Sequence, residues 1–235
     1  MSGSLESVEP AGSRAAGTPP AVAVFDLDGT LTYRDTFVPW LLGFVARHPA
    51  RWWRLLAFLP IGVAVLCGIR DRGRLKSWLL RAFAGGVDSA VLDRWSAEHV
   101  QHVVSSQLRP GAVATLRAHQ ANGDHVILLS ASVDAYVPRI GSLLRVNETI
   151  CTGVRWQVDG RLDGHLTTAN RQGEEKAVVL RSLRERFPGL VFAAYGNTTG
   201  DLPHLRLVEK PLLVNGNAGA RRRAEALGIP TDEWP

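Results

Sequence analysis

This chain of 235 residues has two cysteines and one methionine. Cys67 and Cys151 lie far apart and match no metal-binding spacing, so they read as buried thiols of a reducing compartment. Lysine is scarce as well. The 27 basic residues are arginines except for Lys76, Lys176 and Lys210. No apolar run reaches the ~20 residues that span a bilayer. A secretory h-region is missing, so the expected location is the cytoplasm or the inner face of the membrane. Internal repeats are absent too.

What is present is an ordinary globular composition, 46% apolar, with a net charge of +5 and a pI near 9.8. That charge permits contact with phosphates, anionic lipid or nucleic acid. Nucleic acid is not expected, because the arginines interleave with an apolar stretch and no recognition module is visible. Residues 1–20, rich in Ser, Gly, Ala and Pro, read as a disordered leader.

The most informative stretch is Val22-Ala-Val-Phe-Asp-Leu-Asp-Gly-Thr-Leu-Thr32. Its apolar start has the length of a strand buried on both faces. It ends at Asp26 and Asp28, where an open α/β sheet binds its ligands. Two carboxylates that close repel by several kcal/mol unless a cation or a proton lies between them. The pair therefore implies a divalent metal, a raised pKa, or both. The competing reading, a turn pair before Gly29, loses weight because three further pieces follow in strand-end contexts.

The first piece is Ser130, ending the apolar strand 125–130 ahead of a helix over about 133–145; a hydroxyl there and the helix amides would cradle a phosphate. The second is Lys176, near the start of a helix that follows Gly173 and ends at Phe187-Pro188-Gly189. The third is Tyr195-Gly-Asn-Thr-Thr-Gly-Asp201, after the strand 190–195. A helix over 109–122, a β-hairpin around Asp159-Gly160 within 149–167, a strand over 211–214 and a last helix over 217–227 complete the pattern. Strands alternating with helices imply a parallel sheet covered on both faces. Residues 36–108 show no strand signal and read as several helices inserted after the first strand, above Asp26.

These four pieces, in this order, resemble the motifs of the haloacid dehalogenase superfamily, whose members are mostly phosphatases. The resemblance implies a Rossmann-like parallel sheet with a helical cap: 21–34 and 109–235 as catalytic core, and 35–108 as a C1-type cap. It implies Asp26 as nucleophile, Asp28 as general acid and base, and Thr30, Ser130 and Lys176 around the phosphate. Mg²⁺ is the implied cofactor, held by Asp26, the Asp28 carbonyl, Asp201 and Asn197. Asn197 departs from the commoner acid at its position and lacks its charge. The second acid, Asp28, argues for an ester over a halide, because an ester oxygen needs a proton. The inserted cap is similar to that of subfamily IB, which includes phosphoserine phosphatases.

Within the cap, Leu55–Ile69 carries no charge over 15 residues, broken by Pro60 and Gly62. It is flanked by Arg51-Trp-Trp-Arg54 and by Arg70, Arg72 and Arg74. Two readings stand side by side: buried cap helices, or an interfacial element touching anionic lipid. Together with Asp35-Thr36-Phe37, the stretch resembles phosphatidylglycerophosphate phosphatases, which implies a lipid phosphate. The alternative is a small soluble phosphate, as in the phosphoserine enzymes, with Asp35 facing the substrate. Those enzymes carry Glu near that position and Gly-Gly after the phosphate-binding Ser, where this chain has Asp35 and Ala131-Ser132. An inactive membrane-surface binding protein is the reading from another class.

Overall fold

The computed structural model describes residues 20–57 and 71–235. Residues 1–19 of the leader, and 58–70 with most of the charge-free stretch, lie outside the described residues.

The centre of the molecule is a six-stranded parallel sheet. Strand β1 (Val22–Phe25) lies between β2 (His125–Val133) and β6 (Phe192–Gly196). Outside them come β3 (Glu148–Thr152) next to β2, then β7 (Lys210–Val214) and β8 (Thr231–Asp232) next to β6. Val22 pairs with His125 on one side and with Phe192 on the other. Every residue of β1 is buried, as a strand covered on both faces requires.

Alternate residues of β1 feed two apolar layers. Ala23 and Phe25 join α4 (Pro110–Ala121), α5 (Val137–Leu144) and the inserted helices. Val22 and Val24 join α6 (Glu174–Arg186), the single turn α7 (Leu202–Leu205) and α8 (Ala218–Glu225). This is the α/β architecture expected.

The insertion consists of α1 (Phe37–Ala46), a 3₁₀ run (Pro49–Ala57), α2 (Arg72–Phe83) and α3 (Ser89–Ser106). The chain leaves and re-enters the core through paired linkers. Thr32 bridges Leu108, Tyr33 N–H donates to Gln107 C=O, and Arg109 N–H donates to Leu31 C=O. Trp40 and Trp95 lock α1 to α3: Trp95 Nε1 donates to the Trp40 carbonyl at 2.8 Å, and Trp40 Nε1 to Ser96 Oγ at 3.0 Å.

Two local expectations change. Strand β2 runs on to Val133 through an irregularity after Leu129, so α5 starts at Val137 and not at 133. Residues 148–152 extend the main sheet. The hairpin is shorter, β4 (Val154–Trp156) with β5 (Leu162–Leu166), and it docks on the turn between α2 and α3 through Gly86 N–H to Leu162 C=O and Leu162 N–H to Val87 C=O.

Candidate active site

The site forms where β1 and β6 end. Beyond Phe25, Asp26 N–H still donates to the Tyr195 carbonyl, at 3.0 Å. The chain then coils tightly over Leu27–Leu31, with Gly29 at φ +84°. A Cβ built on Gly29 would lie 2.0 Å from Asn197 Nδ2. Glycine is required there on both counts. The coil turns Asp26 and Asp28 into one cavity of about 350 Å³, which Asp35, Lys176, Asn197 and Asp201 also line.

Lys176 organises the floor. Its buried Nζ donates to Asp26 Oδ1 at 2.6 Å and to Asp201 Oδ1 at 2.7 Å. Burial works against its charge, but Asp201 and Asp26 outweigh burial and hold its pKa above the ordinary lysine value. Burial pushes the Asp26 carboxyl above the usual carboxylate range; Lys176 pulls it back only in part, and Asp201 and Asp28 add like charge. Asp201 goes the other way. Burial raises its pKa, yet Lys176 overcomes that and leaves it low.

The hydrogen bonds explain the split. Asp201 Oδ2 accepts from Asn197 N–H, Thr198 N–H and Thr198 Oγ1 at 3.1, 2.9 and 2.8 Å. Asp26 Oδ2 has one donor, Thr30 Oγ1, at 3.3 Å. Asp201 is therefore a tied-down anchor, and Asp26 a buried carboxylate with few donors. Thr30 is fully buried, and its hydroxyl bond to Asp26 Oδ2 supports that carboxylate.

Asp28 is held from the side. Oδ1 accepts from both Thr36 N–H and Thr36 Oγ1 at 2.7 Å, and Oδ2 accepts from Ser132 Oγ at 2.6 Å. Behind Thr36 stands the buried Tyr136 hydroxyl, 2.9 Å from Thr36 Oγ1. Burial first, and the Asp28 charge next, raise that phenol well above its ordinary pKa. Ser130 is buried at the end of the strand, and its Oγ accepts Ser132 N–H at 3.0 Å. Asp35 lines the cavity and caps α1 through Val38 N–H at 2.8 Å; burial, then Asp28, raise its pKa.

Four contributors escaped sequence reasoning: Thr36, Ser132, Tyr136 and Lys76. Lys76 reaches down from α2, donating to the Ala131 carbonyl and to Asn170 Oδ1, with Nζ 5.3 Å from the Phe37 ring centroid. Burial pushes its pKa down to about 8, against the pull of Asp28 and Asp35. The scarcity of lysine was a signal, since two of the three lysines line this cavity.

Among the described residues, no three His, Cys, Asp or Glu side chains form a metal-binding group. Two features nevertheless suit a hard cation. Asp26, Asp28 and Asp201 have one ion-paired ammonium between them, on Lys176. Asn197 Oδ1 is buried without a hydrogen-bond partner, beside Gly29.

The family model for haloacid dehalogenase-like hydrolases matches residues 23–206, from β1 past Asp201. The chain belongs to that family. It is 33% identical over 195 residues to Protein CicA of Caulobacter vibrioides, covering 83% of this chain and 86% of that one. It is 29% identical over 234 residues to the phosphoserine phosphatase SerB1 of Mycobacterium tuberculosis, covering 93% and 75%. A solved structure, a protein of unknown function from Bordetella pertussis Tohama I, superposes with a TM-score of 0.77 at 25% identity, covering 92% and 99%. The protein is thus a hydrolase of this family, and the matched residues include both Asp26 and Asp28.

Proposed function

We propose that the protein is a Mg²⁺-dependent phosphomonoesterase working through an aspartyl-phosphate at Asp26. The observation that carries this reading is the pair of unequal acids on one coil: Asp26 against Lys176, and Asp28 held apart by its own donors. Asp26 attacks phosphorus through Oδ2, whose one donor is the Thr30 hydroxyl, while the ester P–O bond breaks, and Lys176 stabilises the charge that builds there. The Asp28 carboxyl gives its proton to the leaving alkoxide. It then takes a proton from the water that attacks the acyl-phosphate, returning Asp26 and inorganic phosphate. Such acid–base help is worth about 10²- to 10⁴-fold. Ser130 and the backbone after it hold phosphate oxygens. The direct Thr36 and Ser132 bonds fix where the Asp28 carboxylate sits.

The donors fit Mg²⁺, a hard ion that keeps part of its water. An Asp26 oxygen, the Asp28 carbonyl and the orphaned Asn197 Oδ1 would hold it, and Asp201 supports them by aiming Lys176 and closing the loop. When bound, the ion neutralises the excess carboxylate charge and polarises the phosphoryl oxygens.

The helices inserted after β1 support a place in the phosphoserine phosphatase-like subfamily IB, with 35–108 as the cap domain. The leaving alcohol is small and soluble, or the headgroup of a lipid phosphate. What favours lipid is the 3₁₀ run, where Trp52, Trp53 and Leu56 are exposed beside Arg51 and Arg54. Among the described residues no helix is long and apolar enough to cross a membrane.

The test is phosphate release by wild type and Asp26→Asn, with Mg²⁺ and with EDTA. The substrates are p-nitrophenyl phosphate, phosphoserine, and phosphatidylglycerophosphate in mixed micelles. Release that needs Mg²⁺ and Asp26 is expected. Turnover by Asp26→Asn refutes the nucleophile. A folded wild type that releases phosphate from no ester favours the inactive binding protein.

A further inference from the structure

Beside the catalytic cavity lies a second, larger hollow of about 1220 Å³, and the two share Arg72, Asn170, Gln172 and Thr198 as walls. A phosphoryl group with a small alcohol fills the inner cavity and leaves the outer one empty. Helix α2 forms the partition. Leu75, Lys76 and Leu79 face the inner cavity, while Arg74, Ser77, Trp78 and Arg81 face the outer hollow. Each set recurs at helical spacing, so one helix presents different chemistry to the two spaces. Arg72 stands at the junction.

The outer hollow is cationic beyond what a solvated helix face explains. Helix α2 has four basic residues and no acid in its 12 positions, where a solvated face alternates in sign. Both acids in the lining are already paired: Asp71 with Arg74 at 3.3 Å, and Glu175 with Arg171 at 3.4 Å. Among the described residues neither Arg72 nor Arg81 has a carboxylate partner. The far wall supplies neutral groups, Asn170 and Gln172, and the Trp78 ring is 39% exposed. A concave surface with unpaired guanidinium groups, joined to a phosphatase site, is built for an anion at a distance from the scissile phosphate.

We propose that the outer hollow binds the leaving-group end of the substrate, and that this end carries a second anionic group, a phosphate ester or a carboxylate, countered by Arg72 and Arg81. This rests on the phosphomonoesterase reading and names its substrate class: monoesters of an extended, anionic alcohol.

Three substrate series test it: monophosphates of straight-chain α,ω-diols, the matching bisphosphates, and ω-phosphooxy alkanoic acids, each from four to eight carbons. Wild type should show a kcat/KM about tenfold higher on one or both anionic series than on the neutral one, the scale of a single charge-assisted contact. The preferred series tells phosphate from carboxylate, and added salt should narrow the gap. Arg81→Gln keeps the Cγ that abuts Gly164 and should lose most of the preference while hydrolysing p-nitrophenyl phosphate at the wild-type rate. Equal kcat/KM on all three series at low salt, or an undiminished preference in Arg81→Gln, overturns the proposal. If no ester is turned over, calorimetric binding of hexanediol bisphosphate to wild type and Arg81→Gln decides it alone. Binding weakened about tenfold by the substitution supports the hollow, and no binding or unchanged binding refutes it.

Discussion

Asp26 and Asp201 bond the same ammonium at nearly the same distance, yet the same substitution should affect them in opposite ways. Asp201→Asn replaces one of two occupied acceptor oxygens by an NH₂ group. Whichever way the amide turns, a donor meets donors: the Lys176 ammonium, or the Asn197 and Thr198 N–H groups with the Thr198 hydroxyl. Breaking a buried, hydrogen-bonded ion pair costs about 3 to 5 kcal/mol. That is a large share of the roughly 5 to 15 kcal/mol that holds a domain folded. Asp26 stands differently, because burial raises its pKa. A carboxyl raised in the folded state weakens the fold once the pH exceeds the unfolded pKa, up to the folded one. Asn at position 26 carries no charge at any pH and removes that penalty, while Lys176 keeps Asp201. Asp26→Asn should therefore be at least as stable as wild type at pH 8, though inactive. Urea unfolding in EDTA, which removes stabilisation by bound metal, measures both midpoints and slopes. The reasoning fails if Asp26→Asn falls as far as Asp201→Asn, or if Asp201→Asn lies within about 1 kcal/mol of wild type.

Burial, and then the Lys176 charge, push His204 down to about 3. Below pH 6.5 the unfolded chain takes up a proton that the folded one refuses until about pH 3, so stability is lost as pH falls through that window. At about 1.4 kcal/mol per pKa unit, His204→Gln should gain up to about 4 to 5 kcal/mol on wild type between pH 6.5 and 3, read by urea unfolding at several pH values; a constant gap refutes this. Tyr136→Phe removes the hydroxyl behind Thr36 and should lower kcat several-fold with KM unchanged, measured by steady-state phosphate release. A rise confined to KM would count against a role in setting Asp28. Gly29→Ala puts a methyl against Asn197 at positive φ and should cost about 1 to 3 kcal/mol and most activity. Gly86→Ala, also at positive φ but in open space, should cost only stability.

The strand leading to Asp26 was legible because an apolar run buried on both faces is a local signal, and the acids sit directly at its end. The alternation of strands and helices gave the parallel sheet for the same reason. Where β2 stops was not legible: its last pairing, Val133 with Thr152, depends on a strand nearly twenty residues away. The surroundings of Asp28 were hidden more deeply. Ser132 is separated from it by 104 residues, and Tyr136 from Thr36 by 100. Ser132 had the local appearance of a helix cap, and only the closed sheet edge turns its hydroxyl onto the acid. For Asp201 the sequence shows the carboxylate but not its donors; in the structure both its oxygens accept hydrogen bonds from the protein.

Those donors also give a physical reason for an amide at position 197. The loop closes on its own acid through Asn197 N–H and Thr198, so the carboxylate that aims Lys176 has to stand at 201. A further carboxylate at 197 would press a fourth negative charge against the Gly29 backbone, between Asp26 and Asp28, with only Lys176 bonded nearby to answer it. Burial has already raised the Asp26 pKa, and each added anion would raise it more and weaken the nucleophile at neutral pH. An amide keeps an oxygen directed at the site without that cost. What it gives up is attraction for a cation, so on the mechanism proposed above this arrangement would keep Asp26 ionised at the expense of metal affinity.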